Sequence, residues 1–349
     1  MGELGGIILF RRNLPNVHQA SALIARLVQE SPSDLPLLVA VDQEGGRVAR
    51  LGAPVLKLPP MRRLAALGDP ALTRRAATLL GQQLAAIGFN MDLAPVLDVD
   101  TNPANPVIGD RSFGSEPGGV VRQALAFAEG LRLGGVLNCG KHFPGHGDTQ
   151  LDSHLELPRL SHARERLDRI ELAPFRAAQG QLDAIMTAHV VFDAVSGARP
   201  ATLAPEAVRD LLRGELGFSG LVLTDDLEMK AIADHYGIEQ AACAAIDAGC
   251  DQLLVCSRVD WLSRAHEALS RRAEQDSSFR QRLREAAERS LVTRARRPPT
   301  PLCDPAELTR ALDVEASAAL SQEIEQRLAQ RDLEAREPQS EARERTPAD

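Results

Sequence analysis

A chain of 349 residues with a formal net charge of −8 is long enough for one large α/β barrel or for two ordinary domains. Apolar residues make up 44% and charged residues 25%, the balance of a globular protein, and the acidic sign argues against a phosphate-reading surface, so nucleic acid is not an expected partner. No run approaches the roughly 18–20 apolar residues of a membrane helix, no leader pattern opens the chain, and the five cysteines form no C-x-x-C pair, so a cytoplasmic setting with no membrane partner is expected.

Short apolar runs alternate with longer amphipathic ones. Strands are expected at Gly6–Phe10, Leu37–Asp42, Asn90–Asp98, Val136–Phe143, Ala184–Val190, Leu221–Asp225 and Asp251–Cys256. Helices are expected from the Asp69-Pro70 cap to Gly88, from Gly118 to Gly134, from Pro205 to Gly217 and from Ile238 to Ala248. This α/β alternation predicts a parallel sheet covered by helices, and seven units in roughly 260 residues suit a (β/α)8 TIM-type barrel better than an open sheet.

Six of the seven runs end in, or lead straight into, a polar residue: Arg11-Arg12-Asn13, Asp42, Asp98, Lys141-His142, His189 and Asp225. Strands must end somewhere, and polar residues often end them. Six ionisable endings converging on one barrel mouth nonetheless predict a site there. After Arg294 the character changes. Arg297-Pro298-Pro299-Thr300-Pro301 breaks the last helix, and Ser321–Asp349 is dense in Glu, Arg, Gln and Ala. The expected division is a barrel over residues 1–296 and a charged tail over 297–349, disordered or loosely helical, which buries no core face and has no catalytic part.

The segment from Lys141 to His154 (KHFPGHGDTQLDSH) holds three histidines and two aspartates in a Gly/Pro loop. His142, His146, Asp148, Asp152 and His154 are all possible metal ligands, but their spacing fits no usual zinc pattern. A purely structural polar loop is a second reading, and it leaves the Asp-x-His pair unexplained. In the third, Asp152 fixes the tautomer and basicity of His154, so that the imidazole trades protons near neutral pH.

This segment, with Val41–Val48 (VDQEGGRV), Ala94–Gly114 (APVLDVDTNPANPVIGDRSFG) and Gly220–Met229 (GLVLTDDLEM), resembles the β-N-acetylhexosaminidase branch of glycoside hydrolase family 3. Within that branch it is similar to the single-domain bacterial enzymes that recycle cell-wall muropeptides. The resemblance implies exo-hydrolysis of terminal β-linked N-acetylglucosamine with retention, by a monomer acting on a small carbohydrate or muropeptide without metal or organic cofactor. Asp225 would be the nucleophile, and His154, paired with Asp152, the acid/base. Asp42, Arg50, Arg111, Lys141 and His142 would contact the sugar, and His189 would line the mouth. Strand alternation sends Asp225 and Asp226 to opposite faces, leaving Asp226 a supporting acid.

Two alternatives stay open. The cations Arg50, Arg111 and Lys141 also suit phosphate, which would make the enzyme a phosphorylase. A degenerate, merely sugar-binding barrel is the other. Relatives begin with a further strand and helix ahead of the segment matching GGIILF, so the first of eight strands is expected to be absent here.

Overall fold

The seven apolar runs all form strands of one parallel sheet whose spatial order equals their chain order: β1 Gly6–Ile8, β2 Leu38–Val41, β3 Met91–Asp92, β4 Leu137–Phe143, β5 Ala184–Thr187, β6 Leu221–Asp226 and β7 Gln252–Leu254. The computed structural model describes residues 4–32, 34–153 and 155–335. The register sets Gly6 against Leu38, Ala40 against Met91, Met91 against Leu137, Cys139 against Ala184 and Ala184 against Leu221. Alternation then sends Leu38, Ala40, Met91, Leu137, Cys139, Ala184, Met186, Leu221 and Leu223 into one apolar cluster, with Ile8 and Leu254 packed on it. The sheet curls, and side chains bridge the gap between its two edges: a Cβ on Gly6 would lie 3.1 Å from Nε2 of Gln252, and Arg12 donates to the carbonyl of Cys256 at 2.8 Å.

The other face carries helices. Asp69 caps α3 (Pro70–Ile87) by accepting from the Leu72 amide, and Gly88, at φ 110°, ends it. The partner α4 (Pro117–Leu133) crosses closely enough that a Cβ on Gly130 would strike the Ala77 methyl and the Arg74 carbonyl. A π-type helix, α6 (Glu206–Glu215), and α7 (Ile238–Ala248) cover β6 and β7. Among the described residues no helix is long and apolar enough to cross a membrane.

A charge cluster braces the N-terminal end of the sheet. Asp251, just before β7, accepts from the Val222 amide at 3.0 Å and from Arg213, Arg282 (2.8 Å) and Arg289 (2.5 Å). Arg213 also donates to the carbonyls of Phe218, Gly220 and Gly249, and Arg282 to those of Ile246 and Cys250.

The tail departs from expectation. Residues 305–334 form α10 (Pro305–Ala311) and α11 (Val314–Glu334), and Leu308, Leu312, Leu320, Ile324 and Leu328 are buried in the main core. The spacing of 320, 324 and 328 is one residue per turn, a narrow stripe that suffices where a neighbouring helix supplies the rest of the groove. The segment therefore does bury a core face. Residues 336–349 lie outside the described residues.

Candidate active site

A cavity of about 220 Å³ opens at the C-terminal ends of the strands, and Asp42, Arg50, Arg111, Lys141, His142 and Asp225 all line it. At the end of β2, Asp42 leads into a hairpin, Gln43–Gly45 with Val48–Ala49, that turns through Gly45 (φ 117°) and Gly46 (φ 54°). Only glycine fits this turn. Its φ is left-handed, and a Cβ on Gly45 would sit 2.7 Å from Cε of Met61.

The hairpin delivers Glu44 to the cations, a residue that sequence reasoning passed over. Lys141 Nζ lies 2.8 Å from Asp42 Oδ1 and 2.6 Å from Glu44 Oε1. Arg111 grips Glu44 with both prongs, at 2.9 and 2.7 Å, and Arg50 donates to Asp42 at 3.1 Å. Burial opposes ionisation of both carboxyls. Lys141 and Arg50 nonetheless hold Asp42 below its usual range, and Arg111 with Lys141 holds Glu44 well below. Burial works against the Lys141 charge too, but Asp42 and Glu44 raise its pKa above the ordinary lysine value. Each of the three cations is thus already paired, although three positive charges share two carboxylates. Glu44 was hidden because an acid before Gly-Gly reads as turn chemistry; its place in the VDQEGG block was the available signal.

Asp225 and Asp226 both line the cavity, contrary to the alternation expected of them. The cause is a bulge. Leu223 pairs with Gln252 and Asp226 with Leu254, so three steps on β6 match two on β7. The Asp225 carboxylate accepts from the Asp226 amide at 2.8 Å. Burial pushes its pKa up, but His189, His142 and this amide outweigh burial and hold it below the usual carboxylate range. Asp226 goes the other way, raised to about 6 by burial and by the neighbouring Glu228 and Asp225 charges. His189 does not line the cavity as expected. It is buried, with Nδ1 2.8 Å from Thr202 Oγ1 and Nε2 donating to the carbonyl of Asp226 at 3.0 Å.

Asp98, whose run end carried no assigned role, organises the start of the loop. Its carboxylate meets His142 Nδ1 at 2.7 Å and accepts from the His146 amide at 2.6 Å. His146 sits with its ring between Thr149 Oγ1 (2.7 Å) and Ser153 Oγ (2.9 Å), and burial, with the nearby His142, lowers its pKa to about 4. Gly147 passes so close to the Val99 carbonyl that any Cβ would overlap it. Asp152 is half-buried beside the cavity-lining Ser153 and is not itself on the wall. His154 lies outside the described residues. Among the described residues no group of three or more His, Cys, Asp or Glu could hold a metal ion.

Residues 1–292 match the model of the glycosyl hydrolase family 3 N-terminal domain. The chain is 40% identical over 272 residues to the beta-hexosaminidase of Neisseria meningitidis serogroup C, covering 76% of this chain and 74% of that one. It is 42% identical over 262 residues to the beta-hexosaminidase of Alkalilimnicola ehrlichii, covering 73% and 74%. Its fold is similar to that of a family 3 β-N-acetylglucosaminidase from a Paenibacillus species, with a TM-score of 0.82 and 43% identity over 91% of this chain, although it spans 63% of that chain. Native NagZ from Neisseria gonorrhoeae has a TM-score of 0.76 at 33% identity, covering 92% of this chain and 90% of that one.

Proposed function

The chain belongs to glycosyl hydrolase family 3, and from that membership we propose that it hydrolyses terminal β-linked N-acetylglucosamine with retention of configuration. Beta-hexosaminidase and β-N-acetylglucosaminidase are the names its relatives carry, which supports both the reaction and the sugar. The observation that carries the reading is Asp225, a half-buried strand-end carboxylate on the wall of a cavity of monosaccharide size, held below the usual carboxylate range by His189, His142 and the Asp226 amide.

An oxocarbenium-like transition state needs an anion beneath the anomeric carbon and a proton donor at the glycosidic oxygen. Asp225 supplies the first and forms the glycosyl-enzyme intermediate. His154, with its basicity set by Asp152, protonates the leaving oxygen and then takes a proton from the attacking water. Asp42, Arg50, Arg111, Lys141 and His142 hold the sugar, and Glu44 fixes Lys141 and Arg111 from behind. The ion pairs among Asp42, Glu44, Lys141, Arg50 and Arg111 are in place before substrate arrives, so little reorganisation is required as the transition state forms. His189 acts behind the wall, on the charge of Asp225. The curled sheet supports a barrel of the (β/α)8 type, and five free cysteines fit the reducing compartment of a cytoplasmic protein; a monomer acting on peptidoglycan-derived muropeptides is proposed on the family resemblance alone.

Hydrolysis of an aryl β-N-acetylglucosaminide tests the reading. Asp225→Ala should abolish turnover on every leaving group, whereas His154→Ala should slow poor leaving groups far more than good ones. Equal loss across leaving groups in the histidine variant would overturn its role. Sugar phosphate released on adding phosphate would overturn hydrolysis.

A further inference from the structure

We propose that α10 and α11 are a positioning brace for the sugar cradle, setting the placement of Glu44 and Arg111 through Gln83 and α2 (Met61–Ala65). The inference rests on reading that cradle as the sugar subsite. The two helices lie beyond residue 292, where the family match ends.

The route runs through a buried amide. Oε1 of Gln83, fully buried on α3, accepts from the Leu56 amide at 2.8 Å. Its Nε2 donates to Ser317 Oγ at 2.6 Å and to the carbonyl of Leu312, both on the C-terminal segment. Two residues past Leu56, the Leu58 carbonyl accepts from the Gly46 amide at 3.0 Å, and Leu58, Pro59 and Met61 pack against Gly45. The stretch 56–61 is therefore held between the C-terminal helices and the turn that presents Glu44.

A second route uses α2. On one side Arg63 pairs with Asp332 of α11 at 2.7 and 3.1 Å. On the other Arg62 meets Asp100 at 2.6 Å, and α2 abuts the short turn Gly109–Arg111 that carries Arg111. Exposed ion pairs contribute little alone. Gln83 differs, since removing its amide leaves the buried Leu56 N–H and Leu312 carbonyl unpaired.

Gln83→Met keeps the length and removes the hydrogen bonds; Ser317→Ala is the milder companion. The readouts are the Kd of N-acetylglucosamine by calorimetry, KM and kcat on an aryl β-N-acetylglucosaminide well below the melting temperature, and hydrogen exchange across residues 43–65. Gln83→Met is expected to raise Kd and KM roughly 5–10-fold with kcat within about twofold, the signature of lost uniform binding. Residues 43–49 and 61–65 should exchange faster while β4 and β5 keep their protection. Ser317→Ala should move the same quantities about twofold, and it decides alone if Gln83→Met does not fold. A lowered melting temperature with unchanged Kd, KM and exchange would overturn the brace. If the unsubstituted protein neither binds nor cleaves the sugar, the cradle reading fails, and exchange at 43–65 then decides the brace by itself.

Discussion

Two buried charge clusters stand at opposite ends of one parallel sheet, and they are built differently. At the N-terminal end, Asp251 gathers Arg213, Arg282 and Arg289, and the spare guanidinium donors of Arg213 and Arg282 run to backbone carbonyls. At the C-terminal end, Lys141, Arg50 and Arg111 meet Asp42 and Glu44, with one donor of Arg111 on the Val107 carbonyl and with Asp42 on the wall of an open cavity. The first arrangement spends its polarity on the fold itself. The second keeps charge fixed yet reachable, which is what a ligand site requires, and it lies where barrel active sites lie.

The largest effect that tests this contrast belongs to Asp225. Asp225→Ala should cut kcat/KM by roughly 10⁴-fold or more with little change in melting temperature, measured on an activated aryl glycoside. Next is Glu44→Gln, which leaves Lys141 and Arg111 short of a carboxylate. A fall in kcat/KM of about 10²-fold is expected, carried mostly by KM. Asp251→Ala should do the reverse. Denaturant titration should show a loss of about 3 kcal/mol, because three partly buried cations lose their shared anion, while KM measured on the folded enzyme stays put. A large KM change in that variant would erase the distinction between the two ends.

The smallest effects are in the pH dependence of stability. Asp92 is buried beneath the cradle, and burial raises its pKa to about 8. The folded protein keeps a proton there that the unfolded chain releases near the usual carboxylate value. Stability from this group is therefore full in acid and is lost as pH rises from about 4 to about 8. His146, lowered to about 4, has the opposite sign: its contribution is full above about 6.5 and is lost as pH falls toward 4. Asp92→Asn should flatten the loss between pH 5 and pH 8, by on the order of 2 kcal/mol, as measured by chemical denaturation at those two pH values.

Much of this was legible in the chain. The strands were readable because each is a short apolar run and six of the seven end in a polar residue, and Asp42, Arg111, Lys141, His142 and Asp225 follow from those endings and from the motif blocks. What stayed hidden needed partners far along the sequence. The fate of Glu44 depends on Arg111, 67 residues away, and that of Asp98 on His142, 44 residues away. The C-terminal stripe of Leu320, Ile324 and Leu328 was diluted among Glu, Arg and Gln, so its apolar count looked too small for a core. The cavity-facing pose of Asp226 depends on a register shift against β7 that β6 alone does not encode.

That register shift has a consequence for chain length. Substitutions near Asp225 change chemistry at one position, but removing a single residue between Leu223 and Asp226 would restore regular pairing with β7, leave Asp226 opposite Leu254 and set Asp225 opposite Leu253, on the face turned away from the cavity. With Asp225 read as the nucleophile, this strand should therefore tolerate many changes of letter and no change of count: a deletion of Thr224 is expected to silence the enzyme even though both aspartates remain in the sequence.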